Sequence, residues 1–108
     1  MSKGEYLGEF EIVILSTLQR LGDAAYGVTI RCAIDERTGR SVSIGAIYAT
    51  LRRLERKGLV NSRLGEPTAE RGGRAKRFFA LEAAGVEAVE RSRAMFARLW
   101  EDLPEPPA

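Results

Sequence analysis

Between Ser43 and Arg56 the chain collects a hydroxyl, several small residues and a run of arginines whose spacing suits contact with a polyanion. Ser43, Gly45, Ala46 and Ala49 come first, and Arg52, Arg53 and Arg56 follow. At helical period, Ala46, Ala49, Thr50 and the three arginines share the face opposite an apolar stripe of Ile44, Ile47, Tyr48, Leu51 and Leu54. A helix buried on one side and thin and cationic on the other can lie in a groove lined by phosphates. Small residues at its N-terminal end let the backbone approach base edges, and Ser43 can bond a phosphate or a base. Guanidinium groups further along supply charge-assisted contacts to phosphate oxygens. Tyr48 has two compatible readings: closing the apolar stripe, or reaching a phosphate with its hydroxyl from the edge.

A second basic group, Arg71, Arg74, Lys76 and Arg77, surrounds Gly72-Gly73. An arginine on such a loop can enter a narrow minor groove, where the negative potential is enhanced. If these residues lead into a strand, alternation puts Arg74 and Lys76 on the solvent side and gives Arg77 a structural role. The charge balance agrees with this grouping. Residues 40–77 carry ten positive and three negative side chains, a net +7, whereas the whole 108-residue chain is only +2. A basic middle between acidic flanks suggests a polyanion-binding face on an otherwise solvated protein.

The same composition excludes other chemistry. There is no histidine and a single cysteine, Cys32, so neither a Cys/His zinc site nor an internal disulfide can form. Cys32 is expected to be a small buried or half-buried hydrophobe. No paired carboxylates in an apolar setting and no nucleophile spaced with a base are present, so an enzyme is not expected, nor any cofactor or metal. Gly72-Gly73-Arg74 lacks the longer glycine pattern of a phosphate loop. No apolar run is long enough to span a membrane and the first residues lack a signal core, which points to the cytoplasm.

The elements that must position these residues follow from periodicity and stop signals. Leu7, Phe10, Ile14, Leu18 and Leu21, with Val13 and Leu15 beside them, predict a first helix of about four turns, with Glu5, Glu9 and Glu11 suiting its N-terminal dipole. Asp23 is expected to cap a second helix from about Ala24 to Thr38, with Tyr26, Ile30, Ala33 and Ile34 inward and Gly27 at a close helix contact. Ser41-Val42 is a candidate short strand. Ser43 caps the basic helix, and Gly58 ends it in the left-handed region. Leu59–Leu64 and Arg74–Leu81 read as two strands joined by a polar loop, a β-hairpin. A last helix runs from near Glu82 to about Leu103, with Val86, Val89, Phe96, Trp100 and Leu103 on one seam and Ala88, Met95 and Leu99 on its shoulder. Three helices followed by a hairpin make a winged helix-turn-helix. The fold class is mainly α with a small β-hairpin, organised as residues 1–81 for the winged domain, 82–103 for a C-terminal dimerisation helix and 104–108 as a disordered tail.

On these residues the chain resembles the PadR-like transcriptional regulators. The likeness is carried by Phe10-Glu11-Ile12 into Leu15, by Ala25-Tyr26-Gly27, by Ile47–Leu54 with Lys57-Gly58-Leu59-Val60, and by Gly72–Leu81 ending at Ala84-Gly85. It covers about Leu7 to Leu103 and corresponds to the short branch with a single C-terminal helix. Glu82 stands where the family usually has a capping Thr. The resemblance implies a homodimeric repressor that binds a pseudo-palindromic operator in double-stranded DNA. It places the DNA face on Ser43, Tyr48, Arg52, Arg74 and Lys76. It also implies dimerisation of the last helix on the partner's first helix. Together with the apolar seam, this marks Leu7, Phe10, Val89, Phe96, Leu99, Trp100 and Leu103 as interface candidates. In some members an interface aromatic stacks on a small-molecule effector, which makes Phe96 and Trp100 ligand candidates. The competing readings are a winged-helix protein–protein interaction module without DNA binding, and a repressor switched by a small aromatic ligand.

Overall fold

The computed structural model describes residues 7–66 and 75–107. The elements are α1 (Glu9–Leu21), a 3₁₀ turn (Gly22–Ala24), α2 (Gly27–Thr38), α3 (Ile44–Arg56), β1 (Val60–Leu64), β2 (Arg77–Leu81) and α4 (Ala83–Trp100). The order is the expected one, three helices, a hairpin and a helix, and the architecture is a winged helix.

The core forms where the apolar stripes of the first three helices meet. Ile14, Leu15 and Leu18 of α1, Ile30 and Ile34 of α2, and Ile47, Leu51 and Leu54 of α3 are buried together, closed at one end by Val60 and Phe79 of the hairpin and by Ala88 and Val89 of α4. α1 is the central element and packs against α2, α3, α4 and β2. That explains why its apolar surface is wider than one stripe.

The hairpin is antiparallel, pairing Val60 with Leu81 and Leu64 with Arg77. It is tied to the helices at its base. The Phe79 N–H donates to the Ala25 carbonyl at 2.9 Å, and the Glu82 N–H donates to the Leu59 carbonyl at 2.9 Å. The extra backbone partner of the hairpin is thus Ala25, whereas Ser41-Val42, the expected short strand, has no strand pairing. Gly85, in the first turn of α4, sits so close to the Leu59 carbonyl that any Cβ would collide with it. The start of α4 is therefore locked to the chain leaving α3.

Several expectations are corrected. The second helix does not start at a capping Asp23. The chain makes a 3₁₀ turn there, and α2 begins after Tyr26, whose N–H donates to the Thr29 hydroxyl at 3.0 Å. Cys32 is exposed, because it lies on the outer stripe of α2 with Val28 and Asp35. Thr50 is buried, not part of the open face of α3. α4 ends at Trp100, short of Leu103: Asp102 takes a positive φ of 54°, and a residue preceding proline disfavours the helical region. Pro104–Pro107 form no regular element.

The radius of gyration is 16.0 Å, against about 13 Å for a compact globule of this length. The C-terminal arm of α4, residues 90–100, is exposed or half-buried at every position. Val86 is 42% exposed, Leu99 59%, Trp100 61% and Leu103 65%.

Candidate nucleic-acid interface

The ends of α3 are those the sequence indicates. The Ser43 hydroxyl accepts the Ala46 N–H at 3.0 Å, and Gly58 turns the chain with φ 78°. With its oxygen engaged as a cap, Ser43 remains exposed and keeps a hydroxyl proton to donate. Ile47, Leu51 and Leu54 are fully buried, with Ile44 and Tyr48 half-buried beside them. Tyr48 packs its ring 5.9 Å from that of Phe79. Its hydroxyl lies 2.8 Å from where a Cβ on Gly27 would stand, so this glycine is the close helix contact expected of it. Tyr48 therefore packs against the core, and the residue is half-buried there.

Rotation about α3 sorts the remaining side chains. At about 100° per residue, Gly45, Ala49, Arg52 and Arg56 fall within an arc of roughly 60° that points away from the core. All four are exposed, as is Ala46 on their flank. Arg52 and Arg56 have no hydrogen bond or ion pair among the described residues, so both guanidinium groups are open to an external anion.

Arg53 and Lys57 lie further round, on the side facing α1. There the Arg53 Nε donates to Glu11 Oε2 at 3.1 Å and the Lys57 Nζ donates to the same oxygen at 2.9 Å. Glu11 Oε1 accepts the Gly8 N–H at 3.0 Å, closing a capping box at the start of α1. Glu11 is only 5% exposed. Burial pushes its carboxyl up, but the bonds from Lys57, Gly8 and Arg53 and the Lys57 charge together outweigh that, and it lies below the ordinary carboxylate range. Sequence reasoning took Glu11 for a first-turn acid. The available signal was its place on the inward stripe, three residues before Ile14 and four before Leu15.

The base of the wing holds its own cations. The Arg63 guanidinium lies 4.9 Å from the centre of the Phe78 ring, Phe78 meets Tyr26 edge-on at 5.3 Å, and the Lys76 Nζ lies 5.2 Å from the centre of the Tyr26 ring. Lys76 is half-buried in this stack and does not project freely on the solvent side. Arg77 donates to the Ser62 hydroxyl at 3.1 Å, and Ser62 donates to Glu55 of α3 at 3.1 Å, which gives Arg77 the structural part expected of it. Arg71 and Arg74 lie outside the described residues.

On the opposite side, α1 and α4 border a groove of about 650 Å³ whose walls include Ile12, Ser16, Arg20, Arg93, Phe96 and Trp100. Phe96 and Trp100 stack at 4.8 Å with their planes 16° apart. Leu99 and Leu103 are exposed beside them. Leu7 and Phe10 are half-buried against their own core, with the Arg40 guanidinium 5.5 Å from the Phe10 ring centre and bonded to Glu9 at 2.9 Å. Val89, an interface candidate by its place on the seam, is buried in its own chain and forms part of the groove wall. Among the described residues, no cluster of metal-ligating side chains exists and no helix is long and apolar enough to cross a membrane.

Comparison with known proteins gives this geometry a context. No curated protein matches the chain. Among solved structures, a PadR family transcription regulator from Clostridium difficile R20291 superposes with a TM-score of 0.74 at 26% identity, covering 87% of this chain and 93% of that one. A PadR-like transcriptional regulator from Bacillus cereus ATCC 14579 gives a TM-score of 0.67 at 22% identity, over 91% of this chain and 93% of its own. Bacillus subtilis PadR in complex with operator DNA gives 0.64 at 20% identity, over 92% of this chain and 50% of its own. These relatives are transcription regulators and not enzymes. The family model described as the transcriptional regulator PadR-like family matches residues 14–91, from the core of α1 into α4, and the chain belongs to that family.

Proposed function

We propose that this regulator is a cytoplasmic repressor that binds a pseudo-palindromic operator as a homodimer. The observation that carries the reading is the outward stripe of α3. Gly45 and Ala49 give close approach, and behind them Arg52 and Arg56 have no partner among the described residues. Ser43 and Ala46 flank the leading end, the half-buried Tyr48 lies at the edge of the apolar stripe with its hydroxyl against Gly27, and Lys76 and Arg63 stand at the base of the wing. In helix-turn-helix proteins the N-terminal residues of the reading helix meet base edges, and dimers place two such helices about 34 Å apart along the duplex. The exposed Leu99, Trp100 and Leu103 and the half-buried Phe96, with the groove against α1, supply an apolar surface for the second copy. In this reading residues 1–81 read DNA and residues 82–103 assemble the dimer.

A second reading, in which a small aromatic molecule switches the repressor, is favoured by one observation. The stacked Phe96 and Trp100 face a groove that also carries Ser16, Gln19, Arg20 and Arg93, an aromatic platform with polar groups around it.

The experiment is binding to the promoter of the protein's own gene against random duplex, across salt. A dimer neutralising several phosphates loses affinity with a log–log slope of about −0.9 per phosphate. Arg52→Ala should flatten the slope by about 0.9 per subunit and change folding stability by no more than about 0.5 kcal/mol. A flat salt response, or no preference over random duplex, would favour a protein–protein interaction module and sink the repressor reading.

A further inference from the structure

The junction of α1 and α3 contains an arrangement that DNA reading by α3 does not require. One nearly buried carboxylate, Glu11, binds two cations from the same helix that presents Arg52 and Arg56. All three bonds to Glu11 are within ordinary hydrogen-bond distance, and the third, from Gly8, fixes the carboxylate to the start of α1. The side chains of Arg53 and Lys57 remain 46% and 33% exposed, so both are long enough and open enough to swing toward an external anion once released. Held as they are, they point along the flank of α3 toward α1.

We propose that Glu11 is a specificity-determining residue of the DNA interface: it sequesters Arg53 and Lys57 so that they do not serve as phosphate counter-ions. This rests on the reading of α3 as a DNA-binding helix. The physical argument concerns the balance between general and selective binding. Each additional cation that meets a phosphate strengthens binding to every sequence alike, because it releases counterions without reading a base. A regulator that spent all the cations of α3 in this way would be held on random DNA. Glu11 subtracts two of them and leaves the outward stripe to Arg52 and Arg56. The carboxylate is a positioning group, since it acts on DNA only through Arg53 and Lys57.

The test uses the full chain and a random-sequence 30-base-pair duplex, followed across salt. Glu11→Gln keeps an acceptor for the Gly8 N–H and removes the charge. It should bind the random duplex more tightly, with a salt slope steeper by about 0.9 to 1.8 per subunit. Lys57→Ala should leave the slope of the parent protein unchanged, yet flatten the slope of Glu11→Gln by about 0.9 per subunit. A merely structural Glu11 would give a weaker binder with an unaltered slope, and that result overturns the proposal. A flattened slope for Lys57→Ala in the parent background overturns it too, and this arm is decisive by itself if Glu11→Gln does not fold. Failure of the DNA-binding reading is distinct: the parent protein would then show no salt-dependent binding to any duplex.

Discussion

α3 and α4 are both amphipathic helices, but they meet their apolar needs in different places. α3 buries the centre of its stripe inside its own chain, with Ile47, Leu51 and Leu54 at zero exposure and Ile44 and Tyr48 half-buried at its edge. What it leaves fully outside is small or charged, and all but Glu55 of the charged residues are arginines. α4 buries Gly85, Ala88 and Val89 in its first turns and then leaves Phe96, Leu99 and Trp100 with no complete cover. A helix that is satisfied at home can spend its outer face on a polar ligand. A helix with an unsatisfied end calls for another apolar surface. One helix is thus largely covered by its own fold, and the other ends with apolar side chains still open to solvent.

Substitutions can break this contrast. Leu51→Ala removes a fully buried side chain at the centre of the core and should cost about 2–5 kcal/mol in chemical denaturation of the isolated chain. DNA binding would be lost only along with the fold. Trp100→Ala should leave the fold within about 0.5 kcal/mol, measured at concentrations where the chain is monomeric. It should nevertheless weaken self-association by at least about tenfold in sedimentation. A stable monomer of the parent protein at micromolar concentration would remove the contrast, because the end of α4 would then need no partner. The smallest effect concerns pH. The Glu11 carboxyl is lower in the folded chain than its ordinary value, so its contribution is fully present above the ordinary carboxylate range and is lost as pH falls through the folded value. The difference in Tm between the parent protein and Glu11→Gln should therefore shrink on acidification. A constant difference would mean that the charge of Glu11 does not stabilise the fold.

How legible these features are depends on how local their causes are. The limits of α3 are readable because Ser43 and Gly58 act within a turn of themselves. Its apolar stripe is readable because five residues repeat at helical period. Glu11 is misread because its partners lie 42 and 46 residues away, and a first-turn glutamate has an ordinary local explanation. Lys76 is misplaced for a similar reason. Strand alternation assigns it a face, but not the Tyr26 ring that the packing of α2 brings beneath it. Cys32 shows a different failure, a small residue judged by type when its spacing from Val28 and Asp35 marks an outer stripe. Arg53 could be counted among the cations from the sequence, but not assigned to Glu11, because that assignment is a tertiary contact.

The fit of Gly85 against Leu59 makes the arm a lever with a fixed hinge. From Gly85 to Trp100 the helix runs about 22 Å. A change of about 5° where the two backbones touch would swing the far end by about 2 Å. A hydrogen atom in place of a methyl group at position 85 thus fixes where the exposed end of α4, with Leu99 and Trp100, stands relative to α3.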